Sequence, residues 1–388
     1  MTKKWIPSAL AAFLAVVMGG VVNRPPSPAH AVSDDRMARL AKGINLPNWF
    51  WLGPDDPDAI RNRVSDEELT RLRQMGFTNV RVPMAMAPFY SPDNPAEPNA
   101  DRLALLDSQI DRILAADLAV IIDLHTVNVD EGATVYSGDL ETDDAFVEDY
   151  LAFWGGLAGH LKKYDPDMLF LEVFNEPVFY DNQTRWVDDI LPRTLAAVRA
   201  AAPDHTLIAS GTRWSSIDGL LLVTPIDDPN IVYNFHFYEP FIFTHQGANW
   251  IDNPAIKSLF GVPYPSDPEN VVTPLFDRYS TDGQAAMRAY GEERWNIEKL
   301  DARIHQAVAW AEEHNVQLIC TEFGSYAPLA PKKSRVQWIG DVRTTYEKYG
   351  IAWVMWEYDG GFGFAKRVAG ELQYDEDVIT ALGLQPLP

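Results

Sequence analysis

Cysteine is almost absent from this chain of 388 residues, since Cys320 is the only one. A single cysteine cannot form a disulfide within the chain, and it cannot supply the thiolates of a cysteine-based zinc site. Cys320 lies inside an apolar run, where a cysteine usually behaves as a small hydrophobic residue. We therefore expect Cys320 to be a core residue rather than a nucleophile.

Positive charge is also scarce, because 32 Lys and Arg stand against 55 Asp and Glu, for a formal net charge of −23. Such a chain is repelled by phosphate backbones and by anionic membrane surfaces, so nucleic acids are poor partners. A neutral substrate is compatible with this charge. Aromatic residues, by contrast, are generous, with 12 Trp and 15 Tyr.

The N-terminus has the pattern of an export signal. Lys3 and Lys4 form a basic start, an apolar run extends from Trp5 to Val22, and Ala29–Ala31 supplies a small-x-small cleavage site. An uncleaved membrane anchor is the alternative, since the run could nearly span a bilayer. We expect a Sec-type signal peptide over residues 1–31, cleavage after Ala31, a secreted or periplasmic protein, and no stable membrane association afterwards.

The rest of the chain alternates apolar strands with helices. Helices are indicated by a capping box at Ser65–Glu68 with Gly76 behind it, and by apolar stripes such as Leu103 to Ile113. The predicted strands are Lys42–Pro47, Phe77–Pro83, Leu118–His125, Met168–Pro177, Thr206–Ser210, Ile231–Tyr238, Val316–Glu322 and Ile351–Glu357. Eight such units favour an α/β fold, a closed (β/α)₈ TIM barrel, with residues 32–388 as one catalytic domain.

One predicted connection is long, from Glu239 to Asn296. It shows little helical periodicity and contains Trp250. Long connections in compact domains usually have a function or are mobile, so we interpret it as a wall or lid of the active site.

Polar and aromatic residues end several predicted strands, and in such barrels chemistry belongs at the C-terminal ends of the strands. This set comprises Arg81, His125, Asn175, Glu176, His236, Tyr238, Glu322 and Trp356. Each residue taken alone is more often structural. Together they form an acidic pair surrounded by hydrogen-bond donors and an aromatic plate.

Two carboxylates that face each other across a barrel mouth fit glycoside hydrolysis. Glu176, at the tip of a buried strand, would have a raised pKa and protonate the leaving oxygen, while Glu322 attacks the anomeric carbon or activates water. Tyr238 would hold Glu322 ionised, and Arg81 would lower the pKa of Glu322 by charge pairing. Asn175 would bind a sugar hydroxyl.

Other acidic and basic residues of the strands allow different interpretations. Glu172 and Asp123 lie deeper in their strands, and we interpret them as structural partners of a cation. A metal-dependent hydrolase could use Asp123, His125 and His236 as ligands, but the first strand has Gly43-Ile-Asn45 where a His-x-His pair is often found. We expect no metal and no organic cofactor.

These residues resemble glycoside hydrolase family 5, a large group of retaining endoglucanases, mannanases and related enzymes. The resemblance rests on Phe174–Pro177, His236–Tyr238, Thr321–Gly324 and Trp353–Trp356. It implies net retention with Glu176 as acid/base and Glu322 as nucleophile. It also assigns supporting roles to Arg81, His125, Asn175, His236, Tyr238 and Trp356.

The resemblance leaves the substrate open. It makes β-1,4-glucan the default substrate. The alternatives are β-mannan, xyloglucan and β-1,3-glucan, the last cleaved by an exo-acting enzyme. Trp214 and Trp250 are candidate substrate-binding residues. A rival from another class is a non-catalytic carbohydrate-binding barrel. We expect the protein to be a monomer that acts on a β-linked polysaccharide or oligosaccharide.

Overall fold

A computed structural model describes residues 32–53, 55–126, 138–271 and 275–387. The predicted signal peptide, residues 1–31, lies outside the described residues. Eight parallel strands close into a barrel in chain order. The strands are β1 Lys42–Asn45, β2 Asn79–Ala85, β3 Ala119–Thr126, β4 Leu169–Glu172, β5 Leu207–Ser210, β6 Ile231–Phe237, β7 Gln317–Phe323 and β8 Ala352–Met355. The predicted (β/α)₈ barrel is therefore confirmed.

Helices surround the barrel and alternate with its strands. They are α1 Asp34–Leu40, α2 Pro57–Asn62, α3 Asp66–Met75, α4 Ala100–Ala115, α5 Gly138–Thr142, α6 Asp144–Leu161, α7 Leu191–Ala201, α8 Ile217–Leu220, α9 Phe241–Thr244, α10 Pro254–Ser258, α11 Thr281–Glu293, α12 Ile297–His314, α13 Lys332–Tyr349 and α14 Glu376–Ala381. A π-helical turn, Trp186–Ile190, leads directly into α7, and a short 3₁₀ helix spans Phe276–Arg278. Among the described residues, no helix is both long enough and apolar enough to cross a membrane.

The capping prediction for α3 is confirmed in detail. The Ser65 hydroxyl accepts from the Glu68 N–H, and the Glu68 carboxylate accepts from the Ser65 N–H. Gly76 ends the helix with φ at 107°, a left-handed conformation that glycine adopts without a Cβ penalty. Local sequence thus sets both ends of this helix.

The strands bury both faces, and alternate residues belong to two separate apolar clusters. Ile121 packs inside the barrel, whereas Ile122 packs between the sheet and the helices. The inner cluster also includes Phe170, Val232 and Ile319, and Leu40 of α1 belongs to it. Because side chains alternate along a strand, the residue two positions further along each strand also faces inward. This alternation of side chains determines which polar residues meet inside the barrel.

Two predicted boundaries were wrong in a way that matters for the site. Strand β4 ends at Glu172, so Asn175 and Glu176 lie in the loop beyond the strand rather than at its tip. Strand β2 continues to Ala85, so Arg81 is in the middle of this strand and fully buried, instead of near its end.

The long connection and the C-terminal region contain structure that the sequence patterns do not indicate. The connection holds α9, α10, the 3₁₀ helix and the 13-residue helix α11. After β8, an antiparallel hairpin pairs β9 (Ala365–Val368) with β10 (Glu371–Tyr374). The sequence patterns predict little helical structure for the first region, and the predicted strands do not include this hairpin.

Candidate active site

A polar layer lies directly above the inner apolar cluster, on the same inward faces of the strands. Asp123 follows Ile121 by two positions, Glu172 follows Phe170, Asn234 follows Val232, and Thr321 follows Ile319. All four polar residues have no exposed surface. The strand alternation therefore brings buried polar groups to one level of the barrel, beneath the C-terminal opening.

Arg81 is the centre of this layer. Its guanidinium donates to both carboxylate oxygens of Glu172, from Nε to Oε2 at 2.7 Å and from Nη2 to Oε1 at 2.9 Å. The same Nη2 donates to Asn175 Oδ1 at 2.7 Å and lies 2.9 Å from Asp123 Oδ2. Glu172 and Asp123 thus lie against a buried cation, as their positions in the strands indicated.

Glu322, near the end of β7, is held by two donors. Arg81 Nη1 donates to Oε1 at 2.9 Å, and the Tyr238 hydroxyl donates to Oε2 at 2.9 Å. Both contacts favour the carboxylate form. Burial nevertheless raises the pKa of Glu322 above its ordinary value, and the positive charge of Arg81 offsets this increase only in part. Arg81 therefore pairs with Glu322 and lowers its pKa as predicted, but burial, which the prediction did not include, outweighs this effect.

Glu176 has a different environment. Its side chain keeps 18% of its surface exposed, and its Oε1 lies 2.8 Å from His236 Nδ1. Burial raises the pKa of Glu176 to about 8, and this effect outweighs the charge of Arg81. Glu176 thus holds a proton near neutral pH, whereas Glu322 receives hydrogen bonds that stabilise its charge.

The loop that carries Glu176 is fixed from the turn after β5. The Ser215 hydroxyl donates to the Asn175 carbonyl oxygen at 2.6 Å, and the Trp214 N–H donates to the Pro177 carbonyl oxygen at 3.4 Å. Residues 213–215 all have φ between 50° and 56°, a conformation that is unfavourable for non-glycine residues. Strain of this kind persists only where surrounding contacts hold it, and here the contacts hold Glu176 in place.

His125 and its neighbours form the aromatic side of the site. His125 Nδ1 lies 2.7 Å from Asp123 Oδ2, and its Nε2 lies 3.3 Å from Asn175 Nδ2. Its ring is 3.8 Å from the ring of Trp51 and is stacked on Trp356 with centroids 5.6 Å apart. Burial keeps the pKa of His125 well below its ordinary value, so the ring is neutral.

The other two predicted aromatic residues lie apart from this group. Trp250, in the long connection, is 53% exposed and packs edge-on against Tyr326 at 4.8 Å, with Phe362 also in contact. Phe362 in turn contacts Tyr238, which binds Glu322. Trp214, 48% exposed, is joined to the Glu176 loop through its backbone. Trp250 is thus connected to Tyr238 through Phe362, and Trp214 to the Glu176 loop through its backbone.

Glu176, His236 and Glu322 offer ligand atoms that all lie within 4.8 Å of one another, so a metal ion has to be considered. The surroundings of these three residues disfavour a metal ion. Glu322 already accepts from the Arg81 guanidinium and the Tyr238 hydroxyl, and a cation would lie close to the positive charge of Arg81. The same distance shows that the carboxylates of Glu176 and Glu322 lie close to each other.

The sequence patterns missed several members of this site. Asn45 on β1 donates to the carbonyl oxygens of Thr321 and Met355 and accepts from Arg81. Asn234 donates to Glu172 Oε1 at 3.2 Å and accepts from the Thr321 N–H at 3.0 Å. The available signal was a polar residue at an inward position of an otherwise apolar strand, a place where hydrogen-bond partners are required.

Comparison with known proteins agrees with this geometry. The model of the cellulase family, glycosyl hydrolase family 5, matches residues 42–361. Endoglucanase C of Acetivibrio thermocellus is 28% identical over 327 residues, which are 83% of this chain and 92% of that protein. Endoglucanase 3 of Fibrobacter succinogenes is 26% identical over 347 residues, 85% of this chain, and this chain spans about half (51%) of that protein's length.

A solved structure described as a hyperthermophilic endo-beta-1,4-glucanase in complex with substrate superposes with a TM-score of 0.71. It is 27% identical, and the match covers 90% of this chain and 98% of that one. The family match extends over most of the described barrel, including both glutamates and the polar layer beneath them. The chain is a glycoside hydrolase and belongs to the cellulase family, glycosyl hydrolase family 5.

Proposed function

We propose that this glycoside hydrolase is a retaining endo-β-1,4-glucanase that works by double displacement, with Glu176 as acid/base and Glu322 as nucleophile. The observation that carries the proposal is the close approach of the two carboxylates, whose ligand atoms lie within 4.8 Å of each other. Retaining glycosidases have carboxyl groups about 5–5.5 Å apart, whereas inverting enzymes need about 6.5–9.5 Å to admit a water molecule.

The difference between the two environments supports the assignment of roles. Glu176 is protonated near neutral pH, as burial raises its pKa to about 8, so it can give a proton to the leaving oxygen. Glu322 accepts hydrogen bonds from Arg81 and Tyr238, which stabilise its carboxylate and would orient it toward the anomeric carbon. One carboxyl group that retains its proton and one that receives hydrogen bonds to its charged form are what an acid and a nucleophile require.

The remaining residues would bind and orient the sugar. Asn175 Nδ2 lies 3.3 Å from His125 Nε2, and its second N–H would donate to a sugar hydroxyl near the anomeric carbon. Trp356, 8% exposed and stacked on His125, offers a flat surface for a pyranose ring. Trp214 and Trp250, whose side chains are about half exposed, would stack further sugar residues, and this would favour an extended polymer as substrate.

The test is hydrolysis by the purified chain that begins at Val32, with β-1,4-glucan, β-mannan, xyloglucan and β-1,3-glucan compared at equal concentration. We expect the highest kcat/KM on β-1,4-glucan, with products of intermediate length appearing first, as internal cleavage requires. Preferential turnover of mannan or xyloglucan would contradict β-1,4-glucan as the substrate and assign the preferred glycan instead. Release of a single small product from the start would replace internal cleavage by cleavage at chain ends.

Variants of the two carboxylates separate their roles. Glu322→Gln and Glu176→Gln should each lower hydrolysis of the polysaccharide by at least ~10²-fold, since both steps need both groups. With an aryl glycoside whose leaving group is acidic, Glu176→Gln should lose much less in the glycosylation step, because that leaving group needs little protonation. Near wild-type turnover by either variant would contradict its role. A folded chain that binds β-glucan without any turnover would instead support a non-catalytic carbohydrate-binding barrel.

We also propose that the protein is exported and acts as a monomer. The basic start, apolar run and Ala29–Ala31 motif support cleavage after Ala31. The mass of the protein recovered outside the cytoplasm should correspond to a chain that begins at Val32. Retention of the N-terminal residues in a membrane fraction would support an anchor instead, and light scattering of the mature protein gives its oligomeric state.

A further inference from the structure

The Thr321 hydroxyl lies between two groups of the active site and is completely buried. Its Oγ1 donates to Glu172 Oε1 at 3.0 Å, and it lies 3.1 Å from His236 Nε2. A threonine hydroxyl has one proton and can give it to only one of these partners. Which partner receives it fixes the position of the proton on His236.

Glu172 is the stronger hydrogen-bond acceptor for this proton. Two N–H groups of Arg81 donate to its two oxygens, and Asn234 Nδ2 also donates to Oε1. Burial raises the pKa of Glu172, but the bidentate pair with a guanidinium opposes this and favours the ionised form. The orientation of Asn234 is fixed, because its Oδ1 accepts from the Thr321 N–H. Glu172 is therefore surrounded by donors and acts as an acceptor for Thr321.

The proton position on His236 follows from this. Since the Thr321 proton points to Glu172, His236 Nε2 must be the donor in the 3.1 Å contact. Burial lowers the pKa of His236 to about 4, so the ring is neutral and carries one proton. Nδ1 is then an acceptor, and its 2.8 Å contact with Glu176 Oε1 is a hydrogen bond only when Glu176 carries a proton.

We propose that Thr321 is a positioning residue that fixes His236 in its Nε2–H form and thereby selects the protonated form of Glu176. This inference rests on the proposed function and deepens it, because it names the device that keeps the proton on the acid. Thr321 does not touch the substrate; it acts through His236.

Removing the hydroxyl should reverse the preference. In Thr321→Val, His236 Nε2–H has no acceptor, whereas a proton moved to Nδ1 can donate to an ionised Glu176. A hydrogen bond to the charged form lowers the pKa of a carboxyl group, so Glu176 should lose its proton at lower pH. The other charged or titratable groups around the pair are unchanged in this variant: Arg81, Asp123, His125, Glu172, Tyr238 and Glu322.

The experiment compares the pH dependence of kcat/KM on a natural β-glucan for wild type, Thr321→Val and Thr321→Ser. We expect the basic limb of Thr321→Val to move down by at least ~0.5 pH unit, and Thr321→Ser, which keeps the hydroxyl, to restore most of the wild-type profile. Thr194→Val is the matched control, since Thr194 lies on α7, outside the site, and its buried hydroxyl donates to the Ile190 carbonyl oxygen of the preceding turn. A basic limb of Thr321→Val that overlays that of wild type, or moves upwards, overturns the proposal.

A second measurement does not depend on activity or on the folding of a variant. In ¹⁵N-labelled wild-type protein at about pH 6–7, the ring nitrogens of His236 should show the Nε2–H tautomer, with Nδ1 unprotonated. The Nδ1–H tautomer, or a doubly protonated ring, would overturn the proposal even for an active enzyme. Absence of turnover on every glycan, with the Nε2–H tautomer present, would instead refute the proposed function and leave the hydrogen-bond assignment standing.

Discussion

The burial of Glu176 predicts that this residue makes the folded protein less stable as pH rises. Burial raises the pKa of Glu176 to about 8, against an ordinary value of 4.5. In the unfolded chain the carboxyl is solvated and ionises near ~4.3. Because the folded state holds the proton to higher pH, the stabilisation is complete below about pH 4 and is lost progressively until about pH 8. Glu176→Gln, which cannot ionise, should remove this loss.

The magnitude follows from the environment of the side chain. At ~1.4 kcal/mol per pH unit, a pKa that rises from 4.5 to about 8 corresponds to about 5 kcal/mol at most. Since 18% of the side chain remains exposed, screening by water reduces this to about 2–3 kcal/mol between pH 5 and pH 9. The amide that Glu176→Gln introduces can still donate to His236 Nδ1, so the contact of the protonated acid is preserved.

The assay is equilibrium urea unfolding of wild type and Glu176→Gln, followed by tryptophan fluorescence at constant ionic strength from pH 5 to pH 9. The stability of the variant relative to wild type should increase with pH by about 2–3 kcal/mol, equivalent to roughly 2–5 °C in Tm for a chain of this length. Glu313→Gln, an exposed glutamate on α12, is the control and should show little pH dependence. A difference that is constant with pH, or that falls, would refute the burial of a neutral Glu176.

Three further substitutions test other parts of the structure. Arg81→Met should lower the free energy of unfolding by about 3–5 kcal/mol, measured by urea unfolding, because it leaves buried carboxylates without their cation; a loss below about 1 kcal/mol would contradict this. Gly219→Ala should lower it by about 1–3 kcal/mol or more, since the new Cβ would lie 1.8 Å from the Thr212 carbonyl oxygen, and an unchanged Tm would show that this turn can move. Glu141→Gln should destabilise the loop after β4, because the Glu141 carboxylate accepts hydrogen bonds from the N–H groups of residues 180–182. We expect proteases to cleave that loop faster while the barrel stays intact.

Strong local signals gave the parts of the fold that could be predicted from sequence. The capping box and Gly76 define α3, and apolar runs between helical stripes define the strands of the barrel. Helix α11 was missed because its buried face contains Gly283 and Gly291 beside only two large residues, Met287 and Tyr290. The β9–β10 hairpin was missed because its strands lie mostly at the surface and lack a continuous apolar face.

The site was predicted as a set of residues but not as a network. Glu176 and Glu322 were found because polar residues at the ends of buried strands are uncommon, and the structure brings them together as expected. The depth of Arg81 could not be predicted, since the alternation of a strand gives its inward face but not the tilt that decides how far each residue lies from the rim. Thr321 belongs to the Thr321–Gly324 motif, but nothing in the sequence indicated its role, because a buried threonine is ordinary in a strand.

The net pKa of Glu322 shows a similar limit. The sequence places an arginine where it can pair with this carboxylate, which lowers the pKa, but it does not give the degree of burial, which raises it. The direction is decided by how completely water is removed around three carboxylates that share Arg81. That quantity depends on the packing of several strands at once, and it is available only from the folded structure.

The most direct test of the central claim is to trap the glycosyl-enzyme. The chain is incubated with 2,4-dinitrophenyl 2-deoxy-2-fluoro-β-cellobioside, whose good leaving group allows the first step and whose fluorine slows the second, and the modified peptide is identified by mass spectrometry. Our account predicts one adduct per chain, attached to the carboxylate of Glu322 and absent from Glu322→Gln. Attachment to another residue, or no adduct together with an α-configured first product from a natural β-glucan, would contradict it.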